Sequence, residues 1–170
     1  MPQPYKTIED ELLQKMGSDV ATGSIQIVQD SQQFVSLISQ NFPFVGSKIS
    51  WSRVPDHIVS QVEWQDDFSQ TENKTEISTY ADAILGFFDN AMKATQSADN
   101  ADIIVLGDSA MNIALHLSAG TLRKYLLDIV DLPQHTYVIP PDASWCLTFT
   151  LEGYMDFGFS PSLRMATRTA

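Results

Sequence analysis

Between Trp145 and Phe159 the chain alternates with a period of two. Trp145, Leu147, Phe149 and Leu151 interleave with Cys146, Thr148 and Thr150. After Glu152-Gly153, Met155, Phe157 and Phe159 interleave with Asp156 and Gly158. Period two sends successive side chains to opposite faces of a strand, so the pattern predicts two half-buried strands joined by a tight turn. An isolated hairpin is at best marginally stable in water, so other elements must pack against it. His135–Ile139 reads as another strand, closed by the turn Pro140-Pro141-Asp142. Residues 103–106 and 111–117 read as a strand and its return, with Gly107-Asp108-Ser109 as the hairpin turn. Ser118 caps a helix from Ala119 to about Val130, with Leu122, Leu126, Ile129 and Val130 facing inward and Pro133 closing it.

The first half has a different texture. Residues 7–16 predict a short helix: Thr7 is the cap, Asp10 stands three residues on, and Ile8, Leu12 and Leu13 form the apolar face, with Gly17 as the stop. Residues 24–28 predict a strand. A second helix follows, capped by Asp30 or Ser31 and burying Phe34, Val35, Leu37 and Ile38, and Pro43 marks its end. Ile49, Trp51 and Val54 read as a strand broken at Pro55, residues 58–64 as another, and residues 65–74 as an exposed polar loop. Residues 76–94 carry the clearest helical signal, with Ile77, Tyr80, Ala81, Ile84, Phe87, Phe88 and Ala91 on one face. Gly86 weakens that helix by about 1 kcal/mol relative to alanine. Runs of strands joined by short turns predict an α+β domain. Its mostly antiparallel sheet lies in the C-terminal half and packs with several helices. The length suits one domain over residues 1–170, with the polar residues 161–170 as a loose tail.

Charge narrows the choice of partners. The chain has 21 acidic residues against 10 Lys and Arg, a net charge of -11. Such a surface repels phosphate backbones, which disfavours direct nucleic-acid binding, and attracts a basic protein. The competing explanation is that the acidity serves solubility alone. Cys146 is the only cysteine, so no internal disulfide forms, which fits a reducing compartment. The acidic N-terminal segment lacks the apolar run of a signal peptide. No apolar stretch approaches the ~20 residues of a membrane span. The expected location is the cytoplasm, away from membranes.

Residues with chemistry are few and scattered. Gly107-Asp108-Ser109 lacks the spaced glycines and lysine of a phosphate loop, and no cofactor motif occurs. Cys146 with His57, His116 or His135 is the only thiol arrangement to weigh. Cys146 sits in a strand and not at a helix N-terminus, so it reads as an inert core cysteine. Ser109 lacks the glycine-flanked nucleophile context. Asp56-His57 stands alone, and His116 and His135 have no ligand partner one helical turn away, so no metal site is expected. No spacing singles out a carboxylate pair for hydrolysis. Trp145, Phe149, Phe157 and Phe159 read as core.

The mid-chain acidity is more informative. From Asp56 to Asp108 there are eleven carboxylates and two lysines, Lys74 and Lys93. Within it Glu63, Asp66, Asp67, Glu72 and Glu76 bracket Trp64 and Phe68. Aromatic anchors supply buried contact area, and carboxylates steer and pair with Lys or Arg. The candidate partner-binding residues are therefore Glu63, Trp64, Asp66, Asp67, Glu72 and Glu76. The alternative places Trp64 and Phe68 in the core, flanked by a solvated loop.

The run SWCLTFTLEGYMDFGFS at residues 144–160, extended by HTYVIPPDASW at residues 135–145, resembles the closing hairpin of small immunity proteins. These belong to bacterial polymorphic-toxin and contact-dependent growth inhibition systems. The resemblance is confined to this C-terminal segment and rests on its strand, turn and strand. It implies a cytosolic protein, not an enzyme, that binds and blocks the toxic domain delivered by a neighbouring cell. Such toxins are often nucleases with basic substrate surfaces, which an acidic inhibitor would occlude. Two other expectations stand beside it. A small enzyme would need His57, His116, His135 and Cys146 to meet in one pocket. An adaptor or structural domain would expose a large apolar patch.

Overall fold

The computed structural model describes residues 7–62 and 74–163, with side chains of the helix that opens at Lys74 described from Thr79 onward. A seven-stranded antiparallel sheet organises it, confirming the α+β expectation. Its strands are β1 (Ile25–Val28), β4 (Ile58–Gln61), β5 (Asp102–Gly107), β6 (Ala114–Ser118), β7 (His135–Ile139), β8 (Trp145–Thr150) and β9 (Tyr154–Phe159). They lie in the order β1-β6-β5-β7-β8-β9-β4. The C-terminal half supplies the five central strands. Both edges come from the N-terminal half, which the sequence reading did not place in the sheet.

The period-two hairpin forms with Leu147 opposite Phe157 and Thr148 opposite Asp156. Its turn needs Gly153, whose φ of 84° lies in the left-handed region. Two details depart from expectation. Leu151 leaves the strand and is exposed at the turn. β8 is buried on both faces, so Thr148 is inside the protein and not half-exposed. A central strand flanked by β7 and β9 keeps little solvent-facing area even where its cover is incomplete.

On one face pack α1 (Ile8–Lys15), α4 (Lys74–Ala94) and α5 (Ala119–Val130). Ile84 and Phe88 of α4 and Leu122, Leu126 and Ile129 of α5 meet Ile103, Val105, Leu115, Val138, Leu147 and Phe149 in the main core. The helix ends are set by local chemistry. Thr7 and Asp10 form a reciprocal capping box on α1. The Ser118 hydroxyl accepts from the Thr121 N–H at the start of α5. Ile8, expected on the apolar face of α1, is exposed, and Leu12 and Met16 supply the burial. Gly17 does not stop the helical run; it opens the short α2 (Gly17–Ala21) after a break at Met16.

The opposite face is only partly covered. α3 (Gln32–Asn41), the tiny hairpin of β2 (Phe44–Val45) and β3 (Lys48–Ile49), and a 3-10 turn at Trp51–Arg53 lie over it. The strand expected through Ile49, Trp51 and Val54 is thus a hairpin and a 3-10 turn. Pro43 and Pro55 bracket a segment too short to pair at length. Ile38, Phe42, Ile49 and Val54 pack with Ile104, Leu106, Tyr137, Ile139 and Cys146 in a second core. The 3-10 segment comes down directly on Gly158. A Cβ there would sit 2.8 Å from Val54 Cγ1 and 3.1 Å from Trp51 Cζ3. The missing side chain lets this wall approach the sheet. At the C-terminal end the buried Ser160 donates its hydroxyl to the Asn41 carbonyl at the end of α3. Most of the expected tail, residues 164–170, lies outside the described residues. So does most of the expected polar loop, residues 65–73. Among the described residues no helix is long and apolar enough to cross a membrane.

Gly158→Ala should therefore push Val54 and Trp51 outward and cost about 1–3 kcal/mol of unfolding free energy. Urea denaturation checks this, and a change near zero would show that the wall yields freely.

Candidate functional site

The open part of the half-covered face is a cleft of about 320 Å³ over β7, β8 and β9, at the small end for a ligand site. Register fixes its floor. Directly paired residues share a face, so Val59, Asp156, Thr148, Tyr137 and Leu106 form one continuous row from the β4 edge inward. Gln61 stands opposite Tyr154, and Thr150 opposite His135, in the next row. Lys48, Ile49 and Trp51 supply the wall above, and Glu152 closes the turn end. At the β4 edge the floor row ends on Val59, which is 57% exposed.

Two features set the chemistry of this cleft. The first is a buried imidazole held by a carboxylate. Asp108 Oδ1 accepts the His135 backbone N–H at 2.9 Å, while Oδ2 pairs with the ring Nδ1. Ser109 Oγ accepts the Gln134 N–H at 2.9 Å. Gly107-Asp108-Ser109 is thus not a tight hairpin turn. It starts a six-residue connection between β5 and β6 whose side chains pin the start of β7.

The second feature is a row of polar groups on the cleft floor, one of which, the Thr148 hydroxyl, is buried without a partner. Thr148 is 3% exposed, and its Oγ1 has no hydrogen-bond partner. Asp156 is 9% exposed and accepts no hydrogen bond from a described residue. The Tyr137 hydroxyl likewise has none, and burial raises its pKa. Burial pushes the Asp156 carboxyl up to about 6, and the nearby His57 pulls it back down. His57 itself stacks on Trp51 with ring centroids 6.1 Å apart. By contrast, Glu152 is held below the ordinary carboxylate range, chiefly by its own backbone N–H and further by Thr150, His135 and Gln134. One further orphan hydroxyl, Thr136 Oγ1, lies on the opposite face of β7 and is fully buried.

Three cations of the helical side are paired with acids. Lys15 meets Asp128 at 2.5 Å, Lys124 meets Asp19 at 2.8 Å, and Arg123 binds Asp89 through two bonds of 2.8 and 2.9 Å. A larger depression of about 460 Å³ lies beside that last pair, but Arg123 and Asp89 in its wall already satisfy each other. The cleft differs because its polar groups are unanswered.

Of the residues expected to bind a partner, Glu63, Trp64, Asp66, Asp67 and Glu72 lie outside the described residues, as does the side chain of Glu76. Glu63 follows directly on Val62, whose N–H donates to the Gly153 carbonyl at 2.9 Å beside the cleft. The four residues required by an enzyme do not all converge. His135 lines the cleft. His57 stands near Asp156. Cys146 is fully buried beneath that face, its thiol pushed well above the ordinary range by burial. His116 lies on β6, with Nε2 3.4 Å from Asp102. Sequence reasoning missed Tyr137, Thr148 and Asp156, which it took as exposed positions of half-buried strands or passed over. Among the described residues no three of His, Cys, Asp and Glu are grouped to hold a metal ion. No protein-family model matches the chain, and a comparison with curated proteins finds no match.

The Asp156 carboxyl has a measurable consequence. Its folded pKa of about 6 exceeds the ~3.9 of an unfolded aspartate. The native state therefore holds a proton that the unfolded state releases, and stability falls as pH rises through this window. Asp156→Asn should raise unfolding free energy by about 1–2 kcal/mol at pH 8 and by almost nothing near pH 4. Urea titrations at both pH values test this; a gain independent of pH would contradict the assignment.

Proposed function

We propose that this chain is an immunity-type binding protein that neutralises a cognate toxin domain by occluding a basic active-site surface, with a nuclease as the expected toxin class. It would act in the cytoplasm of the cell it protects. The observation that carries the reading is the cleft: the orphan Thr148 hydroxyl, the carboxylates of Asp156 and Glu152, and the exposed Val59 of β4 at the end of the floor row. Polar groups sheltered in a cleft make strong, specific contacts when a partner covers them and excludes water. The net charge of -11 supports a positively charged partner, and the C-terminal hairpin supports the immunity class by its resemblance. Opposite charges across such an interface speed encounter and are screened by salt. The segment holding Glu63, Trp64, Asp66, Asp67 and Glu72 continues from the rim in sequence and belongs to the same proposal.

A small enzyme is the second reading, favoured by the His135–Asp108 pair beside the cleft. A carboxylate that fixes one ring nitrogen leaves the other for acid–base work. The two readings separate cleanly. Under occlusion the imidazole reacts with nothing, so the chain alone turns over no substrate and His135→Gln changes inhibition only as far as it changes binding. Under catalysis the chain alone would turn over a substrate, and the same variant would abolish turnover.

Mixed one-to-one with the toxin domain encoded beside it, the chain should suppress the toxin's activity. Its association rate should fall roughly tenfold or more between low and physiological salt. Undiminished toxin activity at stoichiometric ratio would reject the reading.

A further inference from the structure

We propose that the cleft over β7–β9 is a subsite for one arginine side chain, the guanidinium seated against Asp156, Thr148 and Tyr137. This deepens the binding reading above by naming the group the partner inserts. The floor row offers a carboxylate and two hydroxyls in adjacent strands, each at least nine-tenths buried and none hydrogen-bonded to a described residue. A buried polar group without a partner is costly, and each such group in a folded protein calls for a reason. A ligand that brings donors answers the orphan Thr148 hydroxyl and, in the same row, gives Asp156 and Tyr137 the donors that no described residue supplies.

The required ligand is a donor and a cation. With Nδ1 held by Asp108, Nε2 is the ring nitrogen that His135 leaves for the cleft. Glu152 remains ionised at the turn end. The wall also carries the Trp51 ring, and the rim carries the ring of Tyr154. Acceptors below and aromatic faces beside them suit a guanidinium. It presents five donors in one plane, binds carboxylates bidentately and stacks on aromatic rings. An ammonium has three donors on a point charge and no plane to stack, so it satisfies the row less completely. Lys48 is the one cation among the cleft-lining residues, and it extends from the covering hairpin, not from the floor. An anion would face Asp156 and Glu152, and its own charge would oppose entry.

The test uses the full chain without any toxin. Nα-acetyl-L-arginine methylamide is titrated at pH 7.5 and low salt, and backbone amide shifts are followed by NMR. The expected result is saturable shifts centred on Tyr137, Thr148 and Asp156, with the lysine analogue weaker by roughly fivefold or more. Asp156→Asn should lose roughly tenfold or more in affinity, and Thr148→Val a smaller factor. Thermal melts of both variants confirm folding. No saturable shift, equal binding of the two analogues, or an unaffected Asp156→Asn protein would overturn the proposal. Its failure is separable from that of the immunity reading. Toxin inhibition that survives in Asp156→Asn would keep the immunity reading and discard the arginine. Arginine binding by a chain that does not inhibit its neighbouring toxin would do the reverse.

Discussion

The packing of α4 and α5 against one face of the sheet is the contact on which the rest depends. Leu122, Leu126 and Ile129 are fully buried there, against Val105, Leu115, Val138 and Leu147. Burying such side chains supplies about 1.5–3 kcal/mol each. Once that face is sealed, the other must be covered by what remains: one ten-residue helix, a two-stranded hairpin and a 3-10 turn. These pack over Ile104, Leu106, Ile139 and Cys146 and stop short of the β8–β9 corner. The cleft is the consequence. Its wall is set by Gly158, where Trp51 and Val54 meet the sheet, and its floor by the register of Thr148 with Asp156.

Much of the fold can be read along the chain because local and global signals agree there. The hairpin of β8 and β9, the capping box of Thr7 and Asp10, the Ser118 cap and the period of α4 all name their own element. What period two does not disclose is what covers the second face. An alternating strand reads as half-exposed, yet β8 is interior because α3 and the 3-10 turn, a hundred residues earlier, lie over it. The same blindness hid the candidate site. Thr148 and Asp156 look like solvent positions in the sequence, and only their burial makes them remarkable in energetic terms. Asp108 was read as turn chemistry, and its hold on His135 depends on a strand twenty-seven residues later.

The acidic residues play two roles in this molecule. On the helical side, Asp19, Asp89 and Asp128 bind Lys124, Arg123 and Lys15, exposed pairs that add little to stability and hold neighbouring elements in register. Around the cleft, Asp156 and Glu152 face a wall with one lysine. Charge that is balanced in one region and unbalanced in another gives a directed field where a uniform surface would give mere solubility. In the proposed binding mode that field guides a basic surface toward β4, whose exposed Val59 lies on the cleft face.

The central claim is that the open β8–β9–β4 corner is the surface a partner covers. Hydrogen–deuterium exchange of the chain alone and in the presence of the proposed toxin domain addresses it most directly. The account predicts slowed exchange in residues 58–61 and 154–156 on complex formation, with α5 unchanged. Protection confined to the helical side, around Lys93 and Arg123, with the sheet corner untouched, would contradict it.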